Sequence, residues 1–386
     1  MKILQVIPFF TPARGGSVVA PYCLSEELSK RGYEVTIITT DFEFDEKYAK
    51  AIQKEGVKVI VFKCVANIGL FLISPGMKKW LRKEIKEFDV IHLHNFRSYQ
   101  NVIIHRYAKK YGIPYVLQAH GSVLRIIEKQ KLKKIYDIFW GYKILKDASK
   151  VIAVSNIEVE QYKQLGVGKN KIDVISNGID IESFKNLPEC KQFKKKYGIR
   201  EKHIILFLGR VHKRKGIGFL IKSFSKLTKE IDDAVLVIAG QDDGYKREAE
   251  ILAKSLGLHD KVKFTGSIDG QDKLSAYVDA DVLVYPSIFE IFGLVPFEAI
   301  MCGTPVIVTD DCGCGELIRK VKAGYLVHYG DVEGLKDKIL EAFGHPEDCK
   351  RMVESGKKYI ARNLSWDNIA KQMTRVYSNA LHGNAR

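Results

Sequence analysis

The chain has 386 residues, 46% of them hydrophobic and 28% charged, without repeats or low-complexity tracts. That composition supplies full cores for about two domains and excludes a disordered tail or a small disulfide scaffold. The net charge of +16 is uneven: residues 1–180 carry 29 Lys+Arg against 18 Asp+Glu, so an anionic partner or surface is expected on that half, or else a solvated lysine-rich face.

The opening MKILQVIPFF reads as a buried first strand rather than a signal peptide, because Thr11–Gly16 follows where a small-residue cleavage site would stand. Short, β-branched, nearly uncharged runs then recur at Val35–Thr39, Val57–Phe62, Val90–Leu93, Tyr115–Gln118, Val151–Val154 and Ile172–Ile175. Amphipathic stretches such as Val18–Arg31, Lys78–Phe88 and Ile126–Lys146 separate them and read as helices. The apolar run Ile68–Ser74 is too short to span a bilayer. Asn177-Gly178 is a turn signal, and the boundary is expected near residue 180. A second series follows at Ile204–Leu208, Ala234–Ala239, Val262–Phe264, Val282–Tyr285, Val306–Val308 and Tyr325–Val327. Alternation of this kind predicts α/β architecture, two doubly wound parallel sheets with ligands bound between them at the carboxyl ends of the strands. The helical segment Ser365–Leu381 is a candidate to cross back to the first domain.

Residues able to do chemistry fall at those strand ends. Gly15-Gly16 follows the first strand and opens a helix, where backbone amides can approach a phosphate; a tight turn explains the pair equally well, and the GxGxxG fingerprint is absent. Gly209-Arg210 to Lys215-Gly216 is a basic loop after the first strand of the second series, suited to a diphosphate and unlike a Walker loop. His92 and His94 alternate on one strand and share a face, but no third metal ligand is evident. His120 ends the next strand, before Gly121, placed for hydrogen bonding in a cleft or for a structural role.

Glu290 and Glu298 bracket an uncharged stretch after the strand Val282–Tyr285. Gly293 and Pro296 predict a loop running into a helix, with Glu290 on the loop, Glu298 in the first turns, and the amides of Phe292, Gly293 and Leu294 free as donors. Carboxylates beside such amides suit a polyhydroxylated ligand. The alternative is a solvated Glu290 and a Glu298 that complements the helix dipole. Asp279-Ala280-Asp281 precedes its strand and is discounted as a metal site, and Cys312-Gly-Cys314 reads as turn and packing residues. The seven scattered cysteines point to a reducing compartment.

In this order the motifs resemble the family 4 retaining nucleotide-sugar glycosyltransferases, over essentially the whole chain. They are Gly15-Gly16, Asn177–Asp180, Gly209-Arg210 to Lys215-Gly216, Tyr285-Pro286-Ser287, and Glu290 and Glu298 with seven residues between them. The resemblance implies the two-domain GT-B fold and a hexosyltransferase without metal or other cofactor, fed by a UDP- or GDP-linked sugar. It implies that Arg210 and Lys215 hold the diphosphate and that Glu298 binds the ribose. Glu290 and the amides of Phe292–Leu294 would contact the donor sugar, and Thr265-Gly266 would lie beside the base. His120 would lie near the transferred sugar, Gly16 near the phosphates or acceptor, and the N-terminal domain would take the acceptor.

The acceptor is expected to be a glycan or lipid-linked molecule of the cell envelope. Residues 124–150 carry eight Lys/Arg and three Asp/Glu among interleaved apolar residues, which suits either peripheral contact with an anionic membrane from the cytoplasm or a helix packed on its sheet. Two other functions compete: a nucleotide-sugar epimerase or related sugar-phosphate enzyme of the same fold, and a basic nucleic-acid-binding protein. No nucleic-acid motif supports the latter.

Overall fold

In the structure, a computed structural model that describes residues 1–68, 71–125 and 129–383, the chain divides into two units. One is Met1–Gly178 together with the segment from Trp366 onward; the other is Ile179–Ser365.

The first unit contains β1 (Lys2–Val6), β2 (Glu34–Thr40), β3 (Lys58–Phe62), β4 (Ala66–Ile68), β5 (Phe71–Ile73), β6 (Val90–His94), β7 (Tyr115–Gln118), β8 (Lys150–Ala153) and β9 (Ile172–Val174). Seven of them form a parallel sheet in the order β3-β2-β1-β6-β7-β8-β9. Helices on both faces bury strands such as β6 from end to end, which is why these runs carry almost no charge. The helix Tyr99–Tyr111 shows how the local sequence sets element ends. Ser98 Oγ accepts from the Asn101 amide at the start, and Gly112, with φ of 69°, stops it.

The last helix, Trp366–Gly383, belongs to this unit. Its stripe Ile369, Ala370, Met373, Val376, Tyr377 and Ala380 is buried with Ile3, Ile37, Val90 and Val116. Gly178 admits no side chain, because a Cβ there would overlap the Trp366 ring.

The second unit contains β10 (His203–Leu208), β11 (Ala234–Ala239), β12 (Val262–Gly266), β13 (Val282–Tyr285), β14 (Val306–Thr309) and β15 (Tyr325–Val327). Their order is β12-β11-β10-β13-β14-β15, all parallel. The strand order reverses between β10 and β13 here, and between β1 and β6 in the first unit. The loops leaving those strands are therefore the natural ligand positions. The fold is the doubly wound α/β architecture that the alternation predicts.

Two details differ from expectation. The apolar run after residue 67 contributes to an antiparallel hairpin, β4 with β5, that the sequence reading does not contain. The helix expected over Ile126–Lys146 is described only from Gln130, residues 126–128 lying outside the described set, and it is interrupted by a π turn over Asp137–Gly141. There Asp137 turns inward to Arg97, and a Cβ on Gly141 would come within 2.8 Å of the Asp137 carboxylate. No helix among the described residues is long and apolar enough to cross a membrane.

Candidate active site

In the second unit the loop leaving β10 and the loop leaving β13 are joined backbone to backbone. The Ile288 amide donates to the Arg214 carbonyl at 2.9 Å, and Ser287 Oγ donates to the same oxygen at 3.3 Å. Gly216 adopts φ of 71° and lies so close to the Pro286 carbonyl that any Cβ would overlap it, which accounts for glycine there. This stitching brings Lys215 to the acids. Its ammonium donates to Glu290 Oε2 at 2.5 Å and to the Tyr285 hydroxyl at 2.8 Å, and that hydroxyl donates to the same carboxylate oxygen at 2.8 Å. Burial, then the Glu290 carboxylate, pushes the Tyr285 phenol well above its usual range, so it stays a donor.

Glu290 lies on the loop and Glu298 in the first turn of the helix Val295–Cys302, as the glycine and proline predict. Gly293 is packed against Glu290 Cγ, where a Cβ would come within 2.9 Å. The Phe292 ring is buried and packs on Phe297 at 5.2 Å between centroids. Among the described residues the amides of Phe292, Gly293 and Leu294 donate to no protein acceptor. The site thus presents one cation, one fixed carboxylate and a row of unpaired amides at the switch point of the sheet.

The remaining expected residues have their own partners. Arg210 pairs with Asp243 at 2.8 Å and is 61% exposed, so its guanidinium is open to solvent. Glu298 accepts from Lys273 at 2.6 Å and from the Tyr277 hydroxyl at 2.8 Å. Thr265 and Gly266 end β12, and nothing lies within 4 Å of where a Gly266 Cβ would stand. Asp279 receives the Lys191 and Lys194 amides and Asp281 receives the Ile204 amide, so both act structurally. The Cys312 and Cys314 sulfurs are buried 3.1 Å apart without a disulfide.

In the first unit Gly15, with φ of 69°, is the N-cap of the helix Gly16–Lys30; its carbonyl accepts the Val18 and Val19 amides, while those of Gly16 and Ser17 donate to no acceptor among the described residues. His120 also has a positive φ, 50°, rare for a residue with a side chain. The turn is held from several sides. Glu158 accepts the Gly121 amide at 2.6 Å and the Val154 amide at 2.9 Å, and Ser122 Oγ donates to Ala119 O at 2.6 Å. Burial, only partly offset by those two amides, raises Glu158 to about 7. The His92 and His94 rings lie 4.0 Å apart between centroids, tilted by 36°, and His94 Nδ1 lies 3.0 Å from His120 Nε2. Burial holds both strand histidines neutral and lowers His120 to about 4. Among the described residues no three His, Cys, Asp or Glu side chains converge as a metal would require.

Several participants escaped the sequence reading. Tyr285 was visible as the end of a strand and the first residue of the Tyr285-Pro286-Ser287 motif, but not as a partner of Lys215 and Glu290. Lys273 and Tyr277 are spaced i, i+4 on one helix, a detectable signal that they share a face. Gln5, Glu158 and Tyr377 are distant in sequence from the histidine turn and carry no local signal.

Residues 14–183 match the family model described as Glycosyltransferase Family 4, and residues 190–359 match Glycosyl transferases group 1. An uncharacterised glycosyltransferase of Methanocaldococcus jannaschii is 30% identical over 99% of this chain and 99% of its own. The phosphatidyl-myo-inositol mannosyltransferase of Mycobacterium leprae is 26% identical over 98% of this chain and 96% of its own. The crystal structure of Anabaena HepE in complex with UDP-glucose superposes with a TM-score of 0.79 at 21% identity, covering 98% of this chain and 99% of that one. With both units matched in order and a relative aligned end to end, the chain belongs to the family 4 glycosyltransferases and has the GT-B fold.

Proposed function

We propose that the protein is a retaining transferase that moves a hexose from a UDP- or GDP-linked sugar to a glycan or lipid-linked acceptor without using a metal. The observation that carries this reading is the Lys215–Tyr285–Glu290 cluster beside the unpaired amides of Phe292–Leu294. In the reaction the bond between the anomeric carbon and the diphosphate breaks, and its electron pair goes to the phosphate oxygen. Lys215 and Arg210 neutralise that developing charge, the role in which fixed donors have their largest effect. The acceptor hydroxyl attacks from the same face and passes its proton to the departing phosphate. Glu290, already engaged by Lys215 and Tyr285, is a weak nucleophile, which favours this course over a covalent intermediate. Glu298 reads the ribose, Thr265 and Gly266 lie at the base, and His120 contacts a hydroxyl of the transferred sugar. Gly15 and Gly16 serve the phosphates or the acceptor, which the first unit binds. The donor complex of HepE and the named activity of the mannosyltransferase relative support a nucleotide-sugar donor.

Calorimetric melting with UDP-glucose, GDP-mannose and an ADP-sugar tests the donor. At a concentration about 100-fold above Kd, the matching compound stabilises the protein by ~2.7 kcal/mol. If no nucleotide sugar raises the transition, the reading fails.

The acceptor side has its own support. Of the apolar residues interleaved with the lysines of 124–150, Ile126 and Ile127 lie outside the described residues and Ile144 is buried. Leu132, Ile135, Ile138, Phe139 and Trp140 are exposed, Phe139 by 60%. Lys131, Lys134 and Lys143 are exposed beside them. An apolar face ringed by cations suits the headgroup region of an anionic leaflet, and we place the protein in the cytoplasm, peripherally on the membrane. Replacing both Ile138 and Phe139 by Ser should weaken sedimentation with phosphatidylglycerol vesicles by about 10-fold or more, since each buried side chain contributes about 1.5–3 kcal/mol. Equal binding of wild type and variant would remove this face from the membrane.

A further inference from the structure

A hydrogen-bonded chain crosses the first unit from its last helix to the histidine turn. Gln5 on β1 stands opposite His92 on β6 in register, and His94 stands opposite Gln118 on β7. These adjacent strands place Gln5, His92, His94 and His120 together, and the buried stripe of the helix Trp366–Gly383 adds Tyr377. Gln5, His92 and His94 are fully buried, shielded from bulk solvent.

Proton positions along the chain follow from which groups can only accept. Gln5 Nε2 donates to the Tyr377 hydroxyl at 3.3 Å, which turns Gln5 Oε1 to His94 Nε2 at 2.6 Å. An amide oxygen cannot donate, so His94 carries its proton on Nε2. His94 Nδ1 is then a lone pair, and His120 Nε2, 3.0 Å away, must be the donor to it. The Tyr377 hydroxyl, having accepted from Gln5, donates to His92 Nδ1 at 2.7 Å. His120 is left with a bare Nδ1 that is buried and has no hydrogen-bond partner among the described residues. An imidazole nitrogen without a partner, on a residue held at positive φ, is an arrangement that a ligand completes.

We propose that Gln5 and Tyr377, acting through His94, are positioning residues that hold His120 as its Nε2–H tautomer and so present Nδ1 as an acceptor to a hydroxyl of the sugar. The inference rests on the reading above that His120 contacts the transferred sugar, and it adds what sets the ring's hydrogen-bonding sense. A reversed ring would offer a donor instead, so the hydroxyl would have to accept rather than donate and the sense of the contact would change.

Two-bond proton–nitrogen correlation spectra of the full chain, with histidine ring nitrogens labelled, read the tautomer directly. His120→Ala assigns the signal by its loss. Wild type should show His120 protonated on Nε2. Gln5→Met keeps side-chain volume but removes both hydrogen bonds, and it should give a mixture of tautomers, as should Tyr377→Phe. Protonation on Nδ1 in wild type, or a His120 signal unmoved by both variants, overturns the proposal. Turnover adds a second readout, taken with whichever of UDP-glucose or GDP-mannose is bound. Gln5→Met should lower kcat by about 10-fold with a smaller change in donor KM, the scale on which partners that hold a ring tautomer act. In a His120→Ala background the same change should alter kcat by less than about 2-fold, because the two residues act as one unit. Additive losses would mean that Gln5 acts on stability alone and overturn the proposal. If the spectra respond as described while His120→Ala costs no turnover, the relay stands and the sugar contact of His120 falls.

Discussion

Lys215→Ala should lower glycosyl transfer by about 100-fold or more, the cost seen when one donor to a developing charge is removed. Lys215 is mostly withdrawn from solvent, and its Nζ is fixed by Glu290 at 2.5 Å and Tyr285 at 2.8 Å. A cation held in that way needs little reorganisation when negative charge builds on the departing phosphate. Lys215→Arg should not restore activity: a planar fork does not fit a point defined by one carboxylate oxygen and one hydroxyl. Arg210→Ala is expected to match the alanine loss at Lys215, although its resting partner is the exposed Asp243. Steady-state transfer at saturating donor is the measurement. Activity within two-fold of wild type in Lys215→Ala would remove the cation from the chemistry and, with it, the mechanism proposed here.

Asp137→Ala should destabilise the first unit by about 3–5 kcal/mol, the penalty for breaking a buried ion pair from one side. The Asp137 side chain is 0% exposed and takes two parallel bonds from Arg97, Nε to Oδ1 and Nη2 to Oδ2, each 2.8 Å. Arg97 also donates to the carbonyls of Ser122 at 2.5 Å and Val123 at 2.8 Å, just after the His120 turn. Loss of Asp137 leaves that guanidinium without its counter-charge and frees the π turn that carries the exposed Phe139 and Trp140. Urea unfolding followed by tryptophan fluorescence is a clean measure, because Trp80, Trp140 and Trp366 all belong to this unit. The double change Arg97→Met with Asp137→Leu should recover much of the loss, since apolar replacement of a whole buried pair is often neutral. A single variant as stable as wild type would show that the pair is solvated in solution.

Local chemistry explains which parts of this protein could be read from its amino acids. Strands β7, β11, β13 and β15 stand where short β-branched runs put them, because a strand covered on both faces tolerates almost no charge. Gly293 and Pro296 placed Glu290 on a loop and Glu298 in a helix, since glycine admits the positive φ of 71° taken there and proline presets the φ of a helix start. The partners of those acids were not legible in the same way. Tyr285 and Lys215 meet across 70 residues, and His92 and Tyr377 across 285, through a packing of strands and helices that no local pattern encodes. The inward turn of Asp137 was hidden for a related reason: its partner, Arg97, lies 40 residues upstream.

The return of the last helix to the first unit also fixes an order of events at the ribosome. Residues 179–365 are all synthesised before Ile369, Met373 and Tyr377, which complete the earlier core. The usual sequence, in which the amino-terminal domain matures first, is therefore inverted. The nascent amino-terminal half must wait, with part of its apolar surface uncovered, until the residues after 365 have been made. A chain cut short after residue 365 would keep an intact second sheet and an unsealed first one.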